Sequence, residues 1–309
     1  MHFAILLTWT LAVFQVVSGK DDQELVMTPG GLRPKANVHA VPRGGRVHHT
    51  DNEVQLIAAN GTILHSAPLA KQPTAIHMPP LDVSGAADVI QRRNLQSGYV
   101  AYSYWKNPGA ANLNTFSTTW TVPPVPRQQD GELIYLFNAL VPSSDFTVIL
   151  QPVLQFGVSP AGGANFWAVA SWYLVGPQTY YTPIWDVDSG QSITGVMTLK
   201  NTTTSGAAKT YSYTSAFTGI DYSQLTITTT NLMDYCYEAL EIYTATSSSD
   251  MPQGSTTMSK IAITNKDGSH PQTALNWTTV ADTNEGFKMT VMSTSSSSGA
   301  VQITYPNSY

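Results

Sequence analysis

From Gly98 to its C-terminus, the chain consists of short β-strand patterns separated by turn residues. Tyr, Val, Thr, Ser and Trp dominate these runs, Gly and Pro interrupt them, and no stretch keeps an apolar period of 3.6 residues. The runs that predict strands include YVAYSYW, FSTTWTV, LIYLFNAL, TVILQPVLQFG, NFWAVASWYL, SITGVMTLK, TYSYTSAF, QLTITTT, YCYEALEIYTAT, KIAITN and VQITYP. Many short strands with this spacing predict an all-β antiparallel sandwich or barrel.

The first 19 residues predict a secretory signal peptide, because a short apolar run ends in small residues. The alternative is a membrane anchor, which needs about 20 consecutive apolar residues. Polar residues interrupt this run at Thr8, Thr10, Gln15 and Ser18. We therefore expect a secreted, extracellular protein without stable membrane association. Glycosylation triplets begin at Asn60, Asn201 and Asn276.

Residues 20–93 predict either a propeptide or a small accessory β-hairpin region. EVQLIAA and TILHSA flank Asn60-Gly61, a pair that favours a two-residue hairpin turn. SGAADVIQRRN, residues 84–94, could form a short helix capped at Ser84. The dibasic pair Arg92-Arg93 is either a processing site or an ordinary solvated pair.

The charge and the cysteine content limit which partners and which covalent cross-links we expect. From residue 94 onward, the chain has 7 Lys and Arg against 13 Asp and Glu, which argues against nucleic acid or an anionic membrane as a partner. Cys236 is the only cysteine, so no disulfide joins two parts of the chain. We expect a monomer.

Of the seven histidines, only His270 lies in the large β region. This region therefore has too few histidines for a serine or cysteine nucleophile with a histidine base, or for a histidine-rich zinc site. We expect neither a metal nor a cofactor. Carboxylates and amides remain as the groups for catalysis.

Two strand patterns place such groups on defined faces. In YCYEALEIYTAT, a period of two puts Glu241 on one face with Tyr235, Tyr237 and Tyr243, and Glu238 on the other face with apolar residues. This arrangement favours Glu241 as the groove residue, although either glutamate could be an ordinary surface residue.

In TVILQPVLQFG, Gln151 and Gln155 share one face. Pro152 cannot donate a ladder hydrogen bond, which predicts a bulge or a sheet edge at this point. Gln151 could also simply satisfy neighbouring backbone groups.

FSTTWTVPPVP, ILQPVLQFG, NFWAVASWYL, DSGQSITGVM and YEALEIYT resemble, in order and rough spacing, motifs of the secreted glutamic peptidases, the eqolisins. The resemblance covers about residues 98–309 and implies a concanavalin- or jelly-roll-like β-sandwich that acts on polypeptides. Three places depart from the family pattern: Glu241 is followed by Ile242, the Gly-Asp turn is Gly190-Gln191, and LFNALVP replaces the usual segment before the glutamine strand.

The resemblance also implies a catalytic pair, with the Glu as general base on water and the Gln amide holding the oxyanion. By motif these residues are Gln151 and Glu241. Gln155 is expected to bind substrate backbone or to support the pair. Further substrate contacts are expected on the same groove, from Trp167, Tyr173, Tyr235, Tyr237 and Tyr243.

Eqolisins are made with a propeptide, and residues 20–93 contain five histidines. We expect this segment to cover the cleft at neutral pH and to be repelled when the histidines charge below about pH 6.5. The alternative is a permanent accessory domain.

Two other functions remain open from the sequence. One is a carbohydrate-binding sandwich without catalysis, in which a glycan stacks on the aromatic residues Trp105, Trp120, Trp167, Trp172, Tyr173, Tyr180, Tyr181 and Trp185. The other is a secreted structural or host-interaction protein, since a fold does not fix a function.

Overall fold

The computed structural model describes residues 24–69, 95, 97–109 and 111–306. The predicted signal peptide, the predicted helix at residues 84–94 and the dibasic pair lie outside the described residues. Within the described ranges there are three short 3-10 helices, Lys35–Asn37, Ser248–Asp250 and Thr283–Glu285.

The described residues form 21 strands. In chain order they are β1 (Leu25–Thr28), β2 (Gly31–Pro34), β3 (Val38–Ala40), β4 (Arg46–His49), β5 (Glu53–Ile57), β6 (Ile63–Pro68), β7 (Gly98–Lys106), β8 (Leu113–Thr121), β9 (Leu133–Val141), β10 (Val148–Phe156), β11 (Trp167–Val175), β12 (Gln178–Tyr181), β13 (Trp185–Asp186), β14 (Ser192–Ser205), β15 (Ala208–Phe217), β16 (Ile220–Thr229), β17 (Tyr235–Tyr243), β18 (Ser255–Asn265), β19 (Thr278–Ala281), β20 (Lys288–Ser293) and β21 (Gly299–Thr304).

Two large sheets face each other. Sheet I has nine strands in the order β19-β7-β17-β9-β10-β11-β12-β3, with β13 also paired to β11. Sheet II has ten strands in the order β20-β21-β18-β8-β14-β15-β16-β4-β5-β6. All pairs are antiparallel except β12–β3 and β16–β4, which are parallel. The predicted all-β, jelly-roll-like sandwich is confirmed.

The four central strands of sheet I are buried on both faces. Strands β9, β10, β11 and β17 are buried along their whole length. One face packs on sheet II and forms the interior of the sandwich. The opposite face carries a second apolar cluster, which we call the groove face. A strand buried on both faces explains why these sequences lack a simple alternation of polar and apolar residues.

Pro152 lies in the middle of sheet I, so the prediction of a bulge or an edge at this residue was wrong. Strand β10 pairs with β11 in one unbroken register that includes Pro152 opposite Ser171. The pairs with β9 keep the same register but omit Gln151 and Pro152. Because Pro152 has no N–H, the β9–β10 ladder has a local gap there, and the rest of sheet I keeps its register.

The N-terminal strands extend both large sheets. Strand β3 continues sheet I beside β12, and β4 continues sheet II beside β16. The turn between β5 and β6 is wider than two residues, because Gly61 donates to Ala58 and Ala58 donates to Thr62. Only Gly61 of the Asn60-Gly61 pair has a positive φ, so the predicted two-residue turn does not form.

Glu238 points into the interior, on the face of β17 opposite Glu241. It is fully buried and accepts a hydrogen bond from Thr118 of sheet II, while its second oxygen has no partner. Burial raises the pKa of Glu238 well above its ordinary value, although the Thr118 hydrogen bond lowers it. A carboxyl group whose pKa is raised by folding stabilises the fold below its unfolded pKa, and that stabilisation is lost as the pH rises.

Glu238→Gln should therefore stabilise the protein most at neutral and alkaline pH. We expect its Tm to be close to that of the wild type at pH 4 and to exceed it by a few degrees at pH 8, since about 1 kcal/mol moves the Tm of a chain of this size by about 1 to 2 °C. Circular dichroism melts across this pH range measure the difference. The matched control is Glu24→Gln, whose side chain is 67% exposed. A difference that does not grow with pH would contradict the prediction.

Candidate active site

The groove face of sheet I carries small residues, together with Phe137, between two groups of aromatic side chains. Ala139, Val153, Ala170 and Ala239 form its floor on the four central strands. The wall on β7 and β17 is a series of packed tyrosine rings, namely Tyr99, Tyr102, Tyr104, Tyr235 and Tyr237. The opposite wall is Trp172, which packs on Tyr181 with ring centroids 5.0 Å apart.

Glu241 lies on this face and is fully buried. Its Oε1 accepts hydrogen bonds from the Tyr243 hydroxyl and from the Gly30 backbone N–H, the latter at 2.7 Å. Its Oε2 has no hydrogen-bond partner. One carboxylate oxygen is thus held by two donors, and the other is buried without a partner.

A β-bulge lies beside Glu241. On the β7 side, Leu240 pairs with Ala101 while Glu241 pairs with Tyr99, which leaves Val100 as the extra residue. Bulges change the direction of the side chains beside them. Because of this one, Tyr99 before the bulge and Tyr102 after it both lie on the groove face.

Burial raises the pKa of Glu241 to about 7, while the hydrogen bonds from Tyr243 and Gly30 and the charge of Arg33 oppose that rise. The carboxyl group can therefore change its protonation state near neutral pH in the full chain. At acid pH it is therefore largely protonated for as long as it stays buried in the full chain.

The strand register decides which glutamine lies near Glu241. Glu241 pairs with Tyr135 on β9, and Tyr135 pairs with Gln155 on β10. Gln155 thus lies in the same row, two strand spacings or about 10 Å away between Cα atoms. Gln151 is four residues along β10, about 13 Å from that row. The family motif pairs Gln151 with Glu241, whereas the strand register places Gln155 in the row of Glu241.

The Gln155 side chain is held by the turn that follows β10. Its Nε2 donates to the carbonyl of Gly162 at 3.0 Å and to that of Gly157 at 3.2 Å. Its Oε1 accepts from the Ser159 hydroxyl at 3.0 Å. The amide is therefore fixed in orientation before any ligand arrives.

Tyr135 stands between the two groups and was not predicted. It is buried, and its hydroxyl forms no hydrogen bond in the structure. No pattern within LIYLFNAL distinguishes this tyrosine, because its importance comes from the pairing of β9 with β10 and β17.

Two of the predicted groove aromatics lie on the wrong face. Trp167 and Tyr173 pack in the interior, whereas Trp172, one residue from Tyr173, lies on the groove face directly opposite Gln151. The prediction assigned the odd-numbered residues of β11 to the groove, but the register brings its even-numbered residues there. Tyr235, Tyr237 and Tyr243 lie on the groove face with Glu241.

The hairpin of β1 and β2 covers Glu241. Pro29 and Gly30 form its two-residue turn, and Gly30 has a φ of 87°, which a side chain would disfavour. Thr28 is fully buried, and Met27 packs against the groove cluster. The turn places a backbone N–H on the Glu241 carboxylate, so the chain itself occupies this end of the groove.

Among the described residues, no three His, Cys, Asp or Glu side chains come together as a metal site. None of the helices in that part of the chain is long and apolar enough to cross a membrane.

No protein-family model matches the chain, and no curated protein matches it. Two crystal structures of scytalido-glutamic peptidase are similar in structure, one with a peptide-based transition state analog and one with a transition state analog inhibitor. The TM-scores are 0.44 and 0.43 at 12% and 13% sequence identity. Each match covers 68% of this chain and 98% of the other. This likeness is a distant one of fold.

Tyr243→Phe should raise the pKa of Glu241 further above its ordinary value, because the hydroxyl that stabilises the carboxylate is lost. Infrared titration of the carboxyl stretch, with Glu241→Gln as the blank, measures this pKa in the full chain. Tyr237→Phe is the control, since the Tyr237 hydroxyl forms no hydrogen bond. An unchanged or lower pKa in Tyr243→Phe would show that this contact does not stabilise the charge.

Proposed function

We propose that the protein is a secreted, acid-acting endopeptidase of the glutamic type, made as a latent precursor. The observation that carries the proposal is the row on the groove face, in which the free Oε2 of Glu241 and the oriented amide of Gln155 flank Tyr135. Because the Tyr135 ring lies between these two side chains, which are about 10 Å apart at Cα, the water molecule and the peptide carbonyl would bind above that ring, between the ends of Glu241 and Gln155.

In the proposed reaction, Glu241 removes a proton from a water molecule as that water attacks the scissile carbonyl carbon. The resulting oxyanion is stabilised by the Gln155 amide, which never titrates. Glu241 then gives its proton to the departing amine, and the C–N bond breaks. Water supplies the oxygen and both protons of the products, so no other reactant is needed.

The hydrogen bonds of Gln155 support its role as the oxyanion donor. The bond to the Gly157 carbonyl, at 3.2 Å, is the longer of the two that Nε2 makes. An oxyanion is a stronger acceptor than a neutral carbonyl, so it can take over this N–H while the Gly162 bond keeps the amide oriented. The Tyr135 hydroxyl lies in the same row as a second donor.

The geometry supports a peptide substrate better than a stacked glycan. Of the eight aromatics that could have formed a stacking surface, Trp105, Trp120, Trp167, Tyr173 and Tyr180 pack in the interior. They therefore do not form one concave aromatic surface with Trp172 and Tyr181.

Glu241→Gln and Gln155→Leu should each lower the cleavage of denatured casein at acid pH by at least about a hundredfold, because each removes a group that acts in the transition state. The assay uses the full chain after incubation at pH 4, between pH 2 and pH 7, with pepstatin present. Gln224→Leu, an exposed position on sheet II, is the matched control and should cleave like the wild type.

Retention of activity in Glu241→Gln would overturn the proposal. Loss in Glu241→Gln but not in Gln155→Leu would keep Glu241 as the base and assign the oxyanion contact to another donor in the row. Circular dichroism of each variant checks that the fold is intact.

Latency rests on the contacts of the N-terminal strands. Besides the Gly30 contact, His49 of β4 is buried and its Nδ1 lies 2.6 Å from the Tyr173 hydroxyl and 3.3 Å from the Thr229 hydroxyl. His39 of β3 stacks on His65 of β6, with ring centroids 3.8 Å apart. Among the described residues of the segment, His49 therefore contacts the sandwich, and His39 contacts His65.

Burial lowers the pKa of His49 from 6.5 to about 4, against the charges of Asp145 and Asp51, while His48 lowers it further. Burial and His65 also lower the pKa of His39. A histidine whose pKa is lowered by docking stabilises the docked form above 6.5, and this stabilisation is lost as the pH falls toward the docked value. For His49, the release window is thus about pH 6.5 to 4, lower than the sequence alone indicated.

Glu241 acts in the opposite direction, because a carboxyl group buried by docking favours the docked form when it is protonated. The histidines must outweigh this effect for acid to release the segment.

His49→Gln should slow acid maturation of the purified precursor, because a neutral side chain at this position gains no charge between pH 6.5 and 4. Gel analysis of precursor loss at pH 4 and pH 7 gives the rates, and His270→Gln, outside the segment, is the control. Equal maturation of wild type and His49→Gln at pH 4 would exclude His49 as the acid trigger.

A further inference from the structure

Gln151 is a buried amide without a partner. Neither its Nε2 nor its Oε1 forms a hydrogen bond, and the side chain is fully buried on the groove face. Buried side-chain amides in folded proteins are almost always hydrogen-bonded, since an unpaired one costs the free energy of its desolvation. A group kept in this state points to a ligand.

Two other unpartnered donors lie in the same row as Gln151. The Trp172 indole N–H and the Tyr237 hydroxyl are both buried without a hydrogen bond. Trp172 is the direct register partner of Gln151 on β11. On the other side, Ala139 separates Gln151 from Tyr237, because Ala139 is the residue that pairs with Tyr237.

Ala139 is the small residue of this row. Only its methyl group separates Gln151 from Tyr237, whereas the neighbouring row carries Phe137 at the equivalent place. Unpaired polar groups therefore lie on both sides of a small residue in an otherwise apolar floor.

We propose that Gln151, Trp172 and Tyr237 form a subsite that binds the main chain of the peptide substrate about four residues from the scissile bond. The spacing follows from the strand geometry, because four residues of β10, about 13 Å, separate this row from that of Glu241, and an extended peptide advances by about 3.3 Å per residue. The inference rests on the proposed peptidase function.

The chemistry of an amide fits a peptide unit. Gln151 offers one carbonyl acceptor and an NH2 donor, which match the N–H and C=O of a single peptide group. Trp172 and Tyr237 add donors for carbonyl oxygens. The subsite binds main-chain groups of the substrate and none of its side chains. It therefore favours long substrates in an extended conformation.

The subsite functions in the acid-matured form, because its three polar groups are buried in the full chain. The test uses a peptide with a single cleavable bond and two residues on each side, and versions lengthened by three residues at the N-terminal end, the C-terminal end or both. The readout is the ratio of kcat/KM for the longer peptide to that for the shorter one.

For acid-matured wild type, the ratio should reach about tenfold when the peptide is lengthened at the end that reaches the subsite. A gain of this size is what one or two neutral hydrogen bonds contribute. In Gln151→Met, which keeps the length of the side chain without its polar atoms, the ratio should fall close to one. The exposed Gln224→Met serves as the control and should keep the wild-type ratio.

A second measurement does not depend on catalysis. Replacing an unpartnered buried amide with an apolar side chain of similar size should raise the Tm of the full chain at pH 7. A lowered Tm would show that the amide is already satisfied within the fold, and would overturn the subsite.

The remaining outcomes separate the two proposals. Cleavage that depends on Glu241, with the same length ratio in Gln151→Met and wild type, overturns the subsite and leaves the peptidase standing. An equal loss on short and long peptides also overturns it, because a remote main-chain contact cannot affect a peptide that does not reach it. If no peptide is cleaved in a way that depends on Glu241, both proposals fail.

Discussion

The register of three neighbouring strands, β17, β9 and β10, determines the rest of the site. Antiparallel pairing puts Glu241, Tyr135 and Gln155 in one row across the middle of sheet I. A shift of one residue in either pairing would turn a whole strand over and send its polar side chains into the interior. Because both faces of these strands are buried, the packing on each side opposes such a shift. The packing of the core thus fixes the relative positions of Glu241, Tyr135 and Gln155.

Glu238 and Glu241 show how one strand creates two different environments for the same side chain. Both are fully buried, yet Glu238 faces the interior beside Thr118, while Glu241 faces the groove and receives donors from Gly30 and Tyr243. Desolvation acts on both carboxyl groups, but only Glu241 has several groups that stabilise its charged form. The difference comes from which sheet face each side chain enters and not from depth of burial.

The sequence predicted what depends on a single strand and failed where two strands must be compared. A period of two separated Glu241 from Glu238 correctly, because alternation is a property of one strand. The choice between Gln151 and Gln155, and the faces of Trp167 and Tyr173, depend on register between strands, which no local pattern contains. Gly30 lies more than 200 residues from Glu241 in the chain, and nothing in its neighbourhood marks it as a contact.

Strands β3 and β4 cover a sheet edge each, since β3 pairs with β12 of sheet I and β4 with β16 of sheet II. A molecule that had shed them would expose two rows of unpaired backbone N–H and C=O groups. Such edges are templates for pairing with other chains. The N-terminal strands therefore protect both edges from strand addition, and a sandwich without them would pair more readily with other chains.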